Sequence, residues 1–200
     1  MSPLQIKPWL SMWTHPRKTV QSIVLFKPSY RFIFLSAIVG WPPAIQVAQL
    51  YALSESLSLP IILLITIAAA PILGAIGIVI FSGVAYFIGK WMGGAASFAE
   101  TKCAVAWSNI TGIASVISYA ILIAYFKGGW FTPTWVNIPV DRPMAYLLFC
   151  LFLVQIVSIG WTIYLLVQSV SQVQKFPVWK SVITLALTSL VLWGVIQLLG

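Results

Sequence analysis

The chain has 200 residues, of which 60% are hydrophobic and only 7% charged, and it carries a formal charge of +8. A soluble domain has roughly 25% charged residues, so the composition excludes a water-soluble fold and points to an integral membrane protein. Eleven Lys and Arg against three acids lie between apolar runs, which fits membrane topology and attraction to anionic lipid rather than nucleic-acid binding.

Residues 1–29 are too polar to insert and too apolar to float free. Trp9 and Trp13 lie four residues apart, hence on one helical face, and Val20, Ile23 and Val24 form a second apolar set. Pro16 suits the first turn of a helix, where a missing N–H costs little. Arg17, Lys18 and Gln21 then project toward phosphates. The spacing predicts a pair of amphipathic interfacial helices on the inner leaflet. Packing on the inner end of the helical bundle is the equal alternative, and both can hold. The segment lacks the layout of a signal peptide and is expected to stay on the chain. Trp9, Trp13, Arg17 and Lys18 are its candidate lipid- or partner-binding residues.

Crossing the hydrocarbon takes about 20 apolar residues. Five segments qualify: about Tyr30 to Leu53, interrupted by Pro42 and Pro43; Leu59 to Gly89, with Pro71 inside; Ala104 to Phe126; Pro143 to Ser169; and Val178 to Leu199. The expected architecture is an all-α membrane protein. Its bundle of five transmembrane helices, residues 30–200, follows the short amphipathic N-terminal segment. Between the second and third spans a Gly-Gly bend precedes a short amphipathic helix. The long loop GGWFTPTWVNIPVDRP places Trp130, Phe131 and Trp135 at the interfacial aromatic belt. No internal repeat is evident, which argues against an inverted-repeat transporter.

Charge placement sets the orientation. With the N-terminus inside, the inner segments hold Lys7, Arg17, Lys18, Lys27, Arg31, Lys90, Lys102, Lys175 and Lys180, and the outer loops only Lys127 and Arg142. Nine against two predicts a cytoplasmic N-terminus and an external C-terminus.

Catalysis or proton coupling needs ionisable groups in a dry site, and none lies centrally in a span. Glu55, Glu100 and Asp141 sit at span ends, and His15 is the sole histidine. No phosphate loop or nucleophile elbow appears. Cys103 and Cys150 read as free thiols rather than metal ligands. No catalytic residue, metal or cofactor is expected.

Polar side chains within spans commonly join helices. The sharper expectation is a polar cavity near the inner leaflet lined by Glu100, Trp107, Asn109 and Gln168, able to hold a lipid headgroup or small solute. Ala70, Gly74 and Gly77 form a small-residue stripe for close helix packing, within the chain or in a homo-oligomer.

Two stretches, PWLSMWTHPRKTVQSIV and GGAASFAETKCAVAWS, carry a family resemblance. The motifs are Pro8, Trp9, Trp13, Pro16, Arg17 and Thr19, then Gly93, Gly94, Ser97, Phe98 and Glu100, then Ala106, Trp107 and Ser108. In this order and spacing they resemble the Yip family of Ypt/Rab-interacting membrane proteins, and most closely its short bacterial members. The resemblance covers nearly the whole chain and implies five spans with a cytoplasmic N-terminus. For eukaryotic relatives it implies Golgi and early secretory membranes, contact with prenylated Rab-type GTPases through a cytoplasmic N-terminal region, and roles in vesicle formation. Only about thirty residues precede the first span here, so the small-GTPase contact is not carried over. Asn109-Ile110 also departs from the proline expected after Ala106-Trp107-Ser108.

The resulting expectation is a non-enzymatic membrane protein that binds anionic inner-leaflet lipids or membrane-protein partners at its cytoplasmic face, and so organises or remodels the membrane. The alternative is a channel or transporter for a small solute through the bundle.

Overall fold

A computed structural model describes residues 7–132 and 139–199, with only the backbone described at 199. Trp135 of the predicted aromatic belt lies outside these residues. The described chain forms eight α-helices: α1 (Pro8–Thr14), α2 (Pro16–Phe26), α3 (Phe32–Leu50), α4 (Leu59–Trp91), α5 (Phe98–Ser108), α6 (Gly112–Phe126), α7 (Arg142–Gln174) and α8 (Val178–Leu199). Short 3-10 turns lie at Leu53–Glu55, Asn109–Thr111 and Lys127–Phe131, and no strand occurs among the described residues. Five helical segments are long and apolar enough to cross a membrane: Phe32–Leu50, Leu59–Trp91, Phe98–Phe131, Arg142–Gln174 and Val178–Leu198. Large apolar side chains such as Leu64, Ile72, Phe152 and Ile159 are exposed along them, a surface suited to lipid and not to water. The protein is an all-helical integral membrane protein.

The third span starts six residues earlier than the sequence suggested. Ser97 caps α5, its Oγ accepting from the Glu100 N–H at 3.3 Å while Glu100 Oε2 accepts from the Ser97 N–H at 2.6 Å. This reciprocal capping box supplies partners to helix-start N–H groups. The stretch expected to be a separate amphipathic helix is therefore the opening of the span. At Asn109 the span tightens into a 3-10 turn, and the Asn109 amide donates to the Val105 carbonyl at 2.8 Å. A side chain bonding back four residues competes with the main chain and often bends a helix.

The chain divides into two compact units. One comprises residues 1–32, 76–110 and 162–200, the other residues 33–75 and 111–161. In the second unit, Gly40 of α3 meets Ala70 and Gly74 of α4 backbone to backbone, and Gly74 meets Ser36 in return. A Cβ at either glycine would collide with main-chain atoms of the facing helix. Small residues on both helices permit this approach, which also lets α3 pack tightly beside Pro42 and Pro43, where two helical N–H donors are missing. A core of Ile45, Ala48, Ile62, Ile123, Trp130 and Phe131 completes this unit. In the first unit, Gly77 faces open space.

Candidate functional site: a cationic aromatic surface on the first unit

The first unit holds nine of the eleven Lys and Arg residues and one of the three acids, so it carries the entire formal +8 while the second unit is neutral. Its one acid, Glu100, is engaged in the α5 cap. The surface is built from the N-terminal helices upward. Pro8 and Pro16 open α1 and α2, where φ is already set for a helix. Thr19 closes the pair: its hydroxyl lies 2.8 Å from the His15 carbonyl, to which it donates, and 3.0 Å from Ser11 Oγ, with which it shares a hydrogen bond. Met12, Val20 and Ile23 are fully buried, so the apolar face of this segment is docked within the unit.

Aromatic and polar contacts fix the docking. Trp9 packs on the fully buried Trp107 of α5 at 5.2 Å between ring centroids, and Tyr30 stacks on Trp107 at 6.1 Å with ring planes 8° apart. The Arg31 guanidinium carbon lies 5.7 Å from the Trp9 centroid and 5.5 Å from that of Tyr30. Arg31 Nε donates to the Tyr30 hydroxyl at 3.1 Å. Its backbone is left-handed at φ 54°, a conformation that costs a non-glycine residue about 1–3 kcal/mol. Cation–π attraction returns roughly 0.5–1 kcal/mol at an exposed site, which orients the guanidinium without neutralising it. Across the other edge, Arg17 Nε donates to Gln168 Oε1 at 2.6 Å and Gln172 donates to Gln21 at 3.2 Å, joining α2 to α7.

The four candidate binding residues thus divide. Trp9 and Arg17 fasten the segment to α5 and α7, whereas Trp13 and Lys18 lie on its exposed side. The first unit also exposes the apolar side chains of Leu10, Leu25, Trp91 and Trp179 and the cations Lys7, Lys27 and Lys90. Lys102 rests 4.9 Å from the Phe32 ring, and Lys180 donates to the Met92 carbonyl at 3.1 Å. Such a mixture of indole rings and snorkelling cations is what a lipid–water boundary favours.

The residues expected to line an inner polar cavity have separate local partners: Glu100 its cap, Trp107 its aromatic neighbours, Asn109 the Val105 carbonyl and Gln168 the Arg17 guanidinium. The residue that organises this region is Gln174, which sequence reasoning missed. Its carbonyl accepts from Ala95 N at 3.0 Å, its Oε1 from Ala96 N at 3.2 Å, and its Nε2 reaches Thr101 Oγ1 at 3.4 Å. Gly89 and Gly94 leave the room its side chain fills, and Gly93 turns the chain at φ 86°. The legible signal was a glutamine ending a long apolar span opposite a Gly-Gly pair.

His15 is exposed and shares a 2.8 Å hydrogen bond with Thr14. Among the described residues no three His, Cys, Asp or Glu side chains gather as metal ligands, and Cys103 and Cys150 are both free.

A family model described as the Yip1 domain matches residues 10–200. No curated protein sequence and no solved structure matches the chain.

Proposed function

We propose that this chain, which belongs to the Yip1-domain family, is a non-enzymatic membrane organiser whose first unit gathers anionic lipid headgroups, or acidic faces of membrane partners, at the cytoplasmic surface. The observation that carries the reading is the charge partition: the whole formal +8 lies on one unit, beside exposed tryptophans. The positive-inside rule favours placing that unit's loops in the cytoplasm of a bacterium and the C-terminus outside the inner membrane. Each surface Lys or Arg near an anionic leaflet contributes about 1 kcal/mol. Several acting together enrich anionic lipid around the protein. With its main apolar face docked, the segment offers the headgroup boundary its exposed Leu10, Trp13 and Leu25 side chains, and their insertion into one leaflet supplies a route to membrane shaping.

The fourfold replacement of Trp9, Trp13, Arg17 and Lys18 by Ala tests this. Membrane insertion is expected to persist, while phosphatidylglycerol retained by the purified protein, counted by native mass spectrometry, falls severalfold. Unchanged retention refutes the reading.

A further inference from the structure

The second unit contains a cavity of about 350 Å³ whose walls include Gln46, Gln49, Gln155, Leu148, Leu151 and Phe152. That volume lies in the range of small-ligand sites, roughly 300–1,000 Å³. No lining residue carries a charge, so an ionised ligand would enter without a counter-ion, at a large desolvation cost.

The carboxamides are unequally occupied. Gln49 Nε2 donates to the Trp130 carbonyl at 2.9 Å, which fixes the amide and leaves its Oε1 as an acceptor. Gln155 exchanges hydrogen bonds with the Ser115 hydroxyl at 3.1 and 3.2 Å, leaving one N–H to donate. Gln46 is exposed on a spanning helix and has no hydrogen-bond partner among the described residues. A carboxamide exposed on a spanning helix without a protein partner is costly, and ligand hydroxyls, each donating one hydrogen and accepting up to two, complement the Gln49 oxygen, the Gln155 N–H and the Gln46 amide.

Leu148, Leu151, Phe152 and Gln155 follow at helical spacing along one stripe of α7. Phe152 is 60% exposed, and on a spanning helix that exposure is toward lipid. The cavity therefore joins an apolar side open to the bilayer with uncharged polar walls.

We propose that this cavity is a lateral site for a neutral, hydroxylated amphiphile. A glycerol-type head lies against Gln46, Gln49 and Gln155, and an acyl chain runs over Leu148 and Phe152. The site is independent of the cationic surface of the first unit, so either can fail without the other.

The test uses the full chain in phosphatidylcholine nanodiscs with a monooleoylglycerol probe bearing a photoreactive diazirine in its acyl chain. Labelling is expected on α7 peptides around Phe152, displaced by unlabelled monooleoylglycerol and not by oleate. Gln46→Leu should lower it about fivefold, the equivalent of one net hydrogen bond. That substitution suits a lipid-facing position and leaves folding intact. Leu148→Trp, which fills the cavity while keeping every polar group, should lower it further. Labelling indifferent to both variants, equal displacement by oleate, or crosslinks to a second protein chain would overturn the site. Free glycerol displacing the probe as well as monooleoylglycerol does would also overturn it, by assigning the cavity to a soluble polyol.

Discussion

Trp9 packs 5.2 Å from Trp107, so a residue ahead of the first span is seated on one inside the third. The contact converts a short amphipathic segment into part of a folded unit. Trp107 is fully buried, and truncating such a side chain costs about 3–5 kcal/mol. Trp107→Ala is therefore expected to lower the unfolding temperature of the detergent-solubilised protein severely. Trp9→Ala should do less to global unfolding and instead expose residues 8–26 to limited proteolysis, while Trp9→Phe retains protection. Equal protease resistance in wild type and Trp9→Ala would show that the segment is held by other means.

Glycine positions on α3 and α4 separate by contact. Gly40→Ala and Gly74→Ala force a methyl group into facing main chain, and overpacking of this kind typically costs about 1–3 kcal/mol. Both should lower thermal stability in detergent. Gly77→Ala meets open space and should be neutral or slightly stabilising. A Gly77 variant as damaged as the Gly74 variant would contradict the described packing.

Gln174 is expected to control the loop before α5. Gln174→Leu removes the acceptor of the Ala96 N–H, and leaving that buried donor unpaired costs about 1–3 kcal/mol. Amide hydrogen exchange should accelerate across residues 94–101. Gln174→Glu keeps an acceptor oxygen and should protect Ala96 better than leucine does. Indistinguishable exchange in the two variants would contradict the assigned hydrogen bond.

Much of this architecture is legible in the amino-acid order because hydrocarbon demands long apolar runs and cations mark their ends. The number of spans follows from that demand alone. Ala70 and Gly74 were readable as a packing stripe, but the matching Ser36 and Gly40 were hidden beside the proline pair, which drew attention as a break. The start of the third span was misplaced because the polar residues after the Gly-Gly bend read as a separate amphipathic helix, although the spacing of Ser97 and Glu100 is that of a capping box. The Trp9–Trp107–Tyr30–Arg31 cluster escaped for a different reason. It joins residues far apart in sequence, and no local period announces which aromatic faces will meet.

Orientation gives a prediction of its own. In a variant with Cys103 and Cys150 replaced by Ser, a single cysteine at Lys18 should react with an impermeant maleimide only in inverted vesicles. One at Val140 should react only in intact cells. The opposite pattern, or both positions reacting from one side, would contradict the proposed topology.

A salt titration of anionic lipid tests the cationic surface most directly. The full chain, in phosphatidylcholine nanodiscs containing fluorescent phosphatidylglycerol, is compared with a Lys18, Lys27 and Arg31 triple-alanine variant. Enrichment of the probe around the wild-type protein should fall steeply as salt screens the surface, and the variant should begin low and respond weakly. Equal enrichment in the two proteins, unmoved by salt, would contradict the account.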